Sequence, residues 1–448
     1  MHSVAEKNAQ KVIVGLGQTG LSYARYLHKR KLPFKVVDSR TQPPGLEVLQ
    51  KQFPQVSVEL GEFQENTLMH AEELLLSPGV DMREPALAKA IGAAVPVTGD
   101  INIFAHQIEA PIIAVTGSNA KSTVVSLLGA MAKNAGLDVA VAGNIGKPVL
   151  DLLDEKTHQL YVLEISSFQL ETTTGLGAEV ACVLNISADH MDRYASMQDY
   201  HEAKHRIFQN CRQAVVNRND PLTVPLLPNN VRQWRYGLDQ GDINEFGLLE
   251  DNGKTCIAFS KKSLMPVEEL ALQGRHNLLN ALASLALGHA AGLDMQAMLQ
   301  TLREFRGLPH RCQYITEIKG VQYYNDSKGT NVGASIAAIQ GLGGRNNVVL
   351  LAGGEGKGAD FSELQGALGE HGKLLIAFGK DADQIQLTLA ETLPVIVVNS
   401  LQDAVVLASE TAQAGDIVLL SPACASFDMF KNFEHRGEVF IEAVEALH

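Results

Sequence analysis

The 448-residue sequence has no apolar run long enough to span a membrane, and no charged-then-apolar stretch at its start that reads as a secretory leader. Its five cysteines (Cys182, Cys211, Cys256, Cys312 and Cys424) lie far apart and form no C-x-x-C pair. That spacing argues against a structural zinc site and fits a reducing compartment. No short-period repeat or low-complexity segment is present. Positive charge is scarce: the formal net charge is −13, which disfavours a general nucleic-acid binder. A phosphate-bearing small molecule stays open, because screening confines charge effects to about 8 Å at physiological salt. These absences lead to the expectation of a cytoplasmic chain with no membrane and no nucleic-acid partner.

What is present is a globular composition, 46% hydrophobic and 19% charged, in a chain too long for one ordinary core. An apolar strand, Pro111 to Val115, leads into Thr116-Gly117-Ser118-Asn119-Ala120-Lys121-Ser122-Thr123. A helical pattern follows and ends near Gly136. Strand, glycine turn, Lys-Ser and helix form the layout of a phosphate-binding loop, with backbone N–H groups and a helix N-terminus aimed at anions. Lys121 can reach outer phosphates, and the Ser122 hydroxyl can hold Mg²⁺. The strict P-loop pattern is not met, since Val115 and Ala120 stand where glycines belong. The bland alternative is a turn before a helix with Lys121 in solvent.

After a loose start over residues 1–10, the strand Lys11–Val14 runs into Gly15-Leu16-Gly17-Gln18-Thr19-Gly20, then a helix over 21–31 and a strand ending at Asp38-Ser39-Arg40. Read alone, this fingerprint says NAD, with Asp38 on the ribose. Another nucleotide diphosphate, or a purely structural glycine turn, fits the same residues. Glu164 interrupts an apolar strand, and a buried carboxylate is costly unless paired or metal-bound. In a phosphate-loop protein it reads as a Mg²⁺ partner. His190 follows a strand end and is open between a ligand and a structural role. Lys204 lies on an amphipathic segment, 200–209, and by spacing alone reads as a surface lysine. Asn277 could be the N-cap of an Ala/Leu-rich helix. Boundaries near residues 99 and 306 divide the chain into three α/β units: 1–99, 100–306 and 307–448. Each sends strand ends into Gly/Ser/Lys/Asp loops, as ligand crevices of parallel sheets require.

Taken together, the loop 116–123, Gly143-Asn144-Ile145-Gly146, Glu164-Ile165-Ser166-Ser167-Phe168-Gln169, Asp189-His190-Met191-Asp192-Arg193, Gly274-Arg275-His276-Asn277 and Asn325-Asp326-Ser327-Lys328 resemble the Mur ligases, ATP-dependent enzymes of peptidoglycan stem synthesis. The motifs occur in family order over nearly the whole chain. A D-N-P-R-type signature, typical of a diaminopimelate-adding relative, is absent.

The resemblance implies an α/β protein of three domains: a Rossmann-like N-terminal domain, a central P-loop ATPase-like domain with a mostly parallel sheet, and a Rossmann-like C-terminal domain. It implies a monomer with UDP-N-acetylmuramoyl-L-alanine and D-glutamate as small-molecule substrates. UDP-substrate binding falls to Gln18, Thr19, Asp38, Ser39, Arg40, Gly79, Asn144 and Ser166. ATP falls to Gly117, Ser118, Asn119, Ala120, Lys121, Ser122 and Thr123, with Asn277, Asn280, Arg311 and Asp326. Mg²⁺ is implied at two sites, Ser122 with Glu164 and His190 with Lys204, the latter carbamylated by CO₂ to N6-carboxylysine. Lys121, His190 and Lys204 are the implied catalytic residues. D-Glutamate falls to Lys328, Thr330, Lys357, Ser426 and Phe433. The competing readings are an NAD-dependent oxidoreductase, a folate-type polyglutamate ligase and a non-catalytic nucleotide-binding regulator.

Overall fold

The computed structural model describes residues 10–272 and 274–447; the loose start expected over residues 1–10 lies, but for residue 10, outside them. Three sheets follow one another along the chain. The first has five strands (Lys11–Val14, Phe34–Asp38, Val58–Leu60, Glu73–Leu76, Val97–Thr98), all parallel, in spatial order 3-2-1-4-5. The glycine fingerprint opens the helix Gln18–Lys29, which starts three residues before the expected position. The cause is Gly20: a Cβ there would lie 2.1 Å from the Gly15 carbonyl oxygen, so its absence lets the helix begin against the turn. Gln18 and Thr19 therefore occupy the first turn.

The central sheet has nine strands in order 9-8-7-6-5-4-1-3-2 by position along the chain. Its core strands, Ile112–Thr116, Val139–Gly143, Leu160–Glu164, Val180–Val183 and Gln213–Asn217, are parallel. They are short, nearly continuous apolar runs because helices or other layers cover both faces. The last two strands, Lys254–Phe259 and Lys262–Pro266, turn antiparallel at one edge. On one face the helix Lys121–Asn134 buries Val124, Leu127, Leu128 and Met131 against Leu278, Leu282 and Leu285 of the helix Arg275–Ala290. Burying four such side chains contributes on the order of 6–10 kcal/mol before chain entropy is subtracted. This packing fixes the axis of the helix that starts at the phosphate loop.

The third sheet has six strands in order 1-2-6-3-4-5, of which only the first, Gln313–Ile318, is antiparallel to its neighbour. The first and central units share one apolar cluster that includes Tyr23, Leu27, Phe104, Leu150 and Tyr161. Paired hydrogen bonds from Arg25 to Asp151 close its rim. Among the described residues no helix is long and apolar enough to cross a membrane.

Candidate active site

The phosphate loop is fixed by the neighbouring strand end. Ser118 N–H donates to the Asn185 carbonyl (3.0 Å) and Asn119 N–H to Asn185 Oδ1 (2.8 Å). The Ser118 hydroxyl donates to the Ser187 carbonyl and accepts from Ser187 N–H. Ala120 has φ +66°, the left-handed region that an alanine enters at a cost. Ala120 is the N-cap at which the loop turns into the helix, and Lys121 bends back to donate to the carbonyls of Gly117 (2.8 Å) and Ser118 (2.9 Å). Lys204, on the helix Met197–His205, reaches the Gly117 carbonyl at 2.9 Å and sits over the Tyr200 ring. It is only 2% exposed, which overturns the surface-lysine reading. Burial, then the Lys121 charge, pulls its amine well below the usual lysine value. Burial lowers Lys121 too, against the opposing pull of Glu164 and Asp189.

Glu164 ends the strand Leu160–Glu164 and is 1% exposed. Its Oε1 accepts from the Asn144 side chain at 2.7 Å, and its Oε2 is buried without a hydrogen-bond partner. Gly143 allows this approach: its φ is +110°, and a Cβ would lie 2.1 Å from the Glu164 carbonyl oxygen. His190, φ +58°, packs edge-on against Phe168, and burial, despite Asp189, lowers its pKa so that the imidazole is neutral at pH 7. From the third unit, Arg311 donates to the Ser122 hydroxyl at 2.6 Å. Burial pushes the Asp326 carboxyl up to about 6, although the Ser421 hydroxyl and the Cys312 N–H donate to it. Lys328 stacks on Phe433 at 3.8 Å, and burial, then Arg311, brings its amine down to about 8.

These groups line one cavity of about 630 Å³ between the central and third units. Ser118 to Thr123, Asn144, Glu164, Ser166, His190, Lys204, Asn277, Asn280, Arg311, Asp326, Lys328 and Thr330 all face it. Gly117 does not line it but accepts from both lysines. Lys357 and Ser426 do not line it, and Phe433 meets it only through Lys328.

Gln18, Thr19, Asp38, Ser39, Arg40 and Gly79 form a separate group where the strands of the first sheet end. There Asp38 is not a free ribose acceptor. Its Oδ2 takes Leu16 N–H (2.6 Å) and Arg40 Nη2 (2.7 Å), and its Oδ1 takes Arg40 N–H and Nε, both at 2.9 Å. Those donors outweigh the effect of burial and hold its pKa below the usual carboxylate value. Ser166 caps the helix Ser167–Glu171 in a reciprocal box with Gln169. Asn277 is not an N-cap: Gly274, φ +99°, takes that position, and Asn277 lies in the first turn, where it accepts from Asn280.

A hard divalent cation needs oxygen ligands. The orphaned Glu164 Oε2 and the Ser122 hydroxyl, both lining the same cavity, fit one. His190 offers a neutral imidazole for a second, but Lys204 as a free amine offers no oxygen. Among the described residues no cluster of three His, Cys, Asp or Glu could hold a metal unaided. Phosphate oxygens or a carbamate would have to complete either site.

Several residues that hold the site were not assigned a role by sequence reasoning: Asn185, Tyr200, Asn331 and the side chain of Arg193. Asn331 had a local signal as a helix N-cap; Asn185 and Arg193 act through partners remote in sequence, and Tyr200 through both Ser118, 82 residues away, and Lys204 on its own helix.

Three family descriptions cover this chain: the Mur ligase MurD-like N-terminal domain over residues 9–99, the Mur ligase middle domain over 115–288 and the Mur ligase glutamate ligase domain over 310–424. The chain belongs to the Mur ligase family. It is 54% identical over 439 residues to the UDP-N-acetylmuramoylalanine--D-glutamate ligase of Pseudomonas aeruginosa, covering 98% of each chain. It is 50% identical over 438 residues to the enzyme of the same name from Coxiella burnetii, covering 97% of this chain and 98% of that one. Its fold is similar to that of UDP-N-acetylmuramate-alanine ligase MurC from Thermotoga maritima, with TM-score 0.61 at 16% identity over 98% and 100% of the two chains.

Proposed function

We propose that this chain is an ATP-dependent, ADP-forming amide ligase that adds D-glutamate to UDP-N-acetylmuramoyl-L-alanine, a cytoplasmic step of peptidoglycan precursor synthesis. The observation that carries the reading is identity above 50%, end to end, to ligases of that name, in a chain whose phosphate loop, carboxylate and lysines line one cavity. The proposed units are a UDP-substrate domain (1–99), an ATP domain (100–306) and an amino-acid domain (307–448), working as a monomer.

A carboxylate resists attack by an amine. Transfer of the γ-phosphoryl group to it gives an acyl phosphate and ADP; the amine nitrogen then attacks the carbonyl carbon, phosphate leaves, and the ammonium proton is lost. Phosphoryl transfer needs chiefly positioning and charge neutralisation. Lys121 and the N-terminus of the helix Lys121–Asn134 supply positive charge to the phosphates. Arg311 brings a further cation onto the same loop from the opposite wall. Ser122 with Glu164, and His190 with a carbamylated Lys204, are the groups proposed to hold two Mg²⁺ ions, which neutralise phosphate charge when bound. Asn277 and Asn280 line the nucleoside end. Lys328 and Thr330, with Lys357, Ser426 and Phe433 behind them, are proposed to receive the amino acid, a charged amine for each carboxylate giving the stronger class of hydrogen bond. Gln18, Thr19, Asp38, Ser39, Arg40 and Gly79 are proposed for UDP, with Asn144 and Ser166 toward the sugar. An NAD-dependent reading is disfavoured because it leaves the phosphate loop, Glu164 and the whole third unit without a role.

The test is phosphate release with ATP, Mg²⁺ and UDP-N-acetylmuramoyl-L-alanine while single amino acids are scanned. Turnover with D-glutamate and not L-glutamate is expected. Turnover with a different amino acid would overturn the assignment of the third unit, and no turnover with any, bicarbonate being present, would overturn the ligase reading.

A further inference from the structure

Asn331 precedes the helix Val332–Leu342, and all its side-chain capacity toward the protein is used in two directions. Its Oδ1 accepts from Ala334 N–H at 2.8 Å, capping its own helix. Its Nδ2 donates across the domain boundary, to Asn119 Oδ1 of the phosphate loop (3.1 Å) and to Asp189 Oδ2 beside His190 (3.1 Å). The side chain is 9% exposed. Independently, a Cβ on Gly333 would lie 2.9 Å from the Ser187 hydroxyl and 3.4 Å from Asn119 Nδ2, so this helix start rests directly on the wall that fixes the phosphate loop. Lys328 and Thr330 lie three and one residues before Asn331 on the same short segment.

From this juxtaposition we infer that Asn331 is a positioning residue: a single amide that registers the segment carrying Lys328 and Thr330 against both the phosphate loop and the Asp189–His190 loop. The inference rests on the ligase reading for its kinetic consequence. The amine donor and the phosphoryl group approach from different domains, and a misplacement of about 1 Å can cost on the order of 100-fold in rate. Asn119 and Asp189 fix the far side of the same contact, and the close packing of Gly333 on Ser187 lies beside it at the same boundary.

Two substitutions separate the latch from the helix cap. Asn331→Asp and Asn331→Ser both keep a good N-cap oxygen. Asp has no N–H to donate and sets a second carboxylate against Asp189. Ser is too short to span the gap. The account predicts unfolding temperatures within about 2 °C of the parent, unchanged equilibrium ATP binding, and kcat lower by about 100-fold for Asp and about 10-fold for Ser, with a raised KM for the amino acid. Parent-like kcat in both variants, or loss of kcat in step with loss of thermal stability, would overturn it. Should the parent itself show no turnover with bicarbonate present, the ligase reading has failed on its own. The latch is then tested by small-angle scattering: Asn331→Asp is expected to show a larger radius of gyration than the parent, and an unchanged radius would contradict it.

Discussion

The guanidinium carbon of Arg193 lies 4.3 Å from the centre of the Phe168 ring, while the same side chain donates to the Val80 carbonyl at 3.3 Å. Phe168 in turn packs edge-on against His190, with ring centres 4.9 Å apart. One arginine thus joins the turn at Gly79–Asp81 of the first unit to a proposed metal ligand of the second. Arg193→Ala is expected to raise the KM for the nucleotide-linked substrate and to lower kcat by about 10-fold, since a partly buried cation–π contact is worth about 1–2 kcal/mol. Arg193→Lys keeps the charge but not the planar stack, so it should fall between. Steady-state kinetics on both variants read this out; a change confined to the KM for ATP would contradict it.

Ala120 holds a left-handed backbone at φ +66°. For an alanine that conformation costs about 1–2 kcal/mol, whereas glycine loses about 0.4–1 kcal/mol through its freer unfolded chain. Ala120→Gly should therefore stabilise the protein slightly, by about 0.5–1 kcal/mol, and leave turnover intact. Ala120→Val puts a β-branched side chain where none is tolerated and should weaken both stability and ATP binding. Denaturant unfolding and nucleotide titration check the pair; equal stability of the Gly and Val variants would refute the strain.

The Lys328 amine, brought down to about 8, carries its charge only below that pH. A carboxylate-bearing amine donor is held best by the charged form. The profile of kcat/KM for the amino acid should thus fall above pH about 8, because that ratio reports groups of the free enzyme. The stability sign follows the other way. A lysine with a depressed folded pKa favours folding at high pH, and that contribution is lost as pH falls from the unfolded value through about 8. Lys328→Met should consequently be no less stable than the parent at pH 7 while losing amino-acid affinity. A flat profile through pH 9 would show that Lys328 does not meet the substrate as a cation.

Lys204 is buried with a lowered amine pKa, so it presents a neutral amine at a lower pH than a free lysine does. A neutral amine takes up CO₂ to give a carbamate and one released proton. Protein stripped of CO₂ in mildly acidic buffer should lose turnover and recover it on bicarbonate addition. Lys204→Arg should lose turnover without recovery. A carbamate resonance in ¹³C spectra with labelled bicarbonate is the direct check; activity indifferent to bicarbonate and no such resonance would exclude the modification.

The architecture was legible where local chemistry repeats. Short apolar runs each emptying into a polar loop gave the three mostly parallel sheets, and Lys121, Glu164 and His190 drew notice by type and place, with His190 left open between a ligand and a structural role. Legibility failed where the answer depended on distant partners. Lys204 looked solvated because helical spacing does not say which layer covers that face; the Gly117 carbonyl, 87 residues earlier, meets its amine. Asp38 looked like a ribose acceptor because nothing local shows that Leu16 N–H, 22 residues earlier, turns to one of its oxygens. Asn277 was displaced from the cap by Gly274, whose positive φ turns the chain earlier. Asn331 announced only its cap, and its bonds to Asn119 and Asp189 span 212 and 142 residues.

The central claim is that the carboxylate is activated by phosphorylation within the cavity that contains Lys121. The direct measurement is oxygen transfer, with the nucleotide-linked substrate labelled with ¹⁸O in its carboxylate and the released phosphate read by mass spectrometry. One ¹⁸O per phosphate, present in the parent and absent with Lys121→Ala of unchanged far-ultraviolet circular dichroism, is the result this account predicts. Phosphate released without label, or labelled equally by Lys121→Ala, would contradict it.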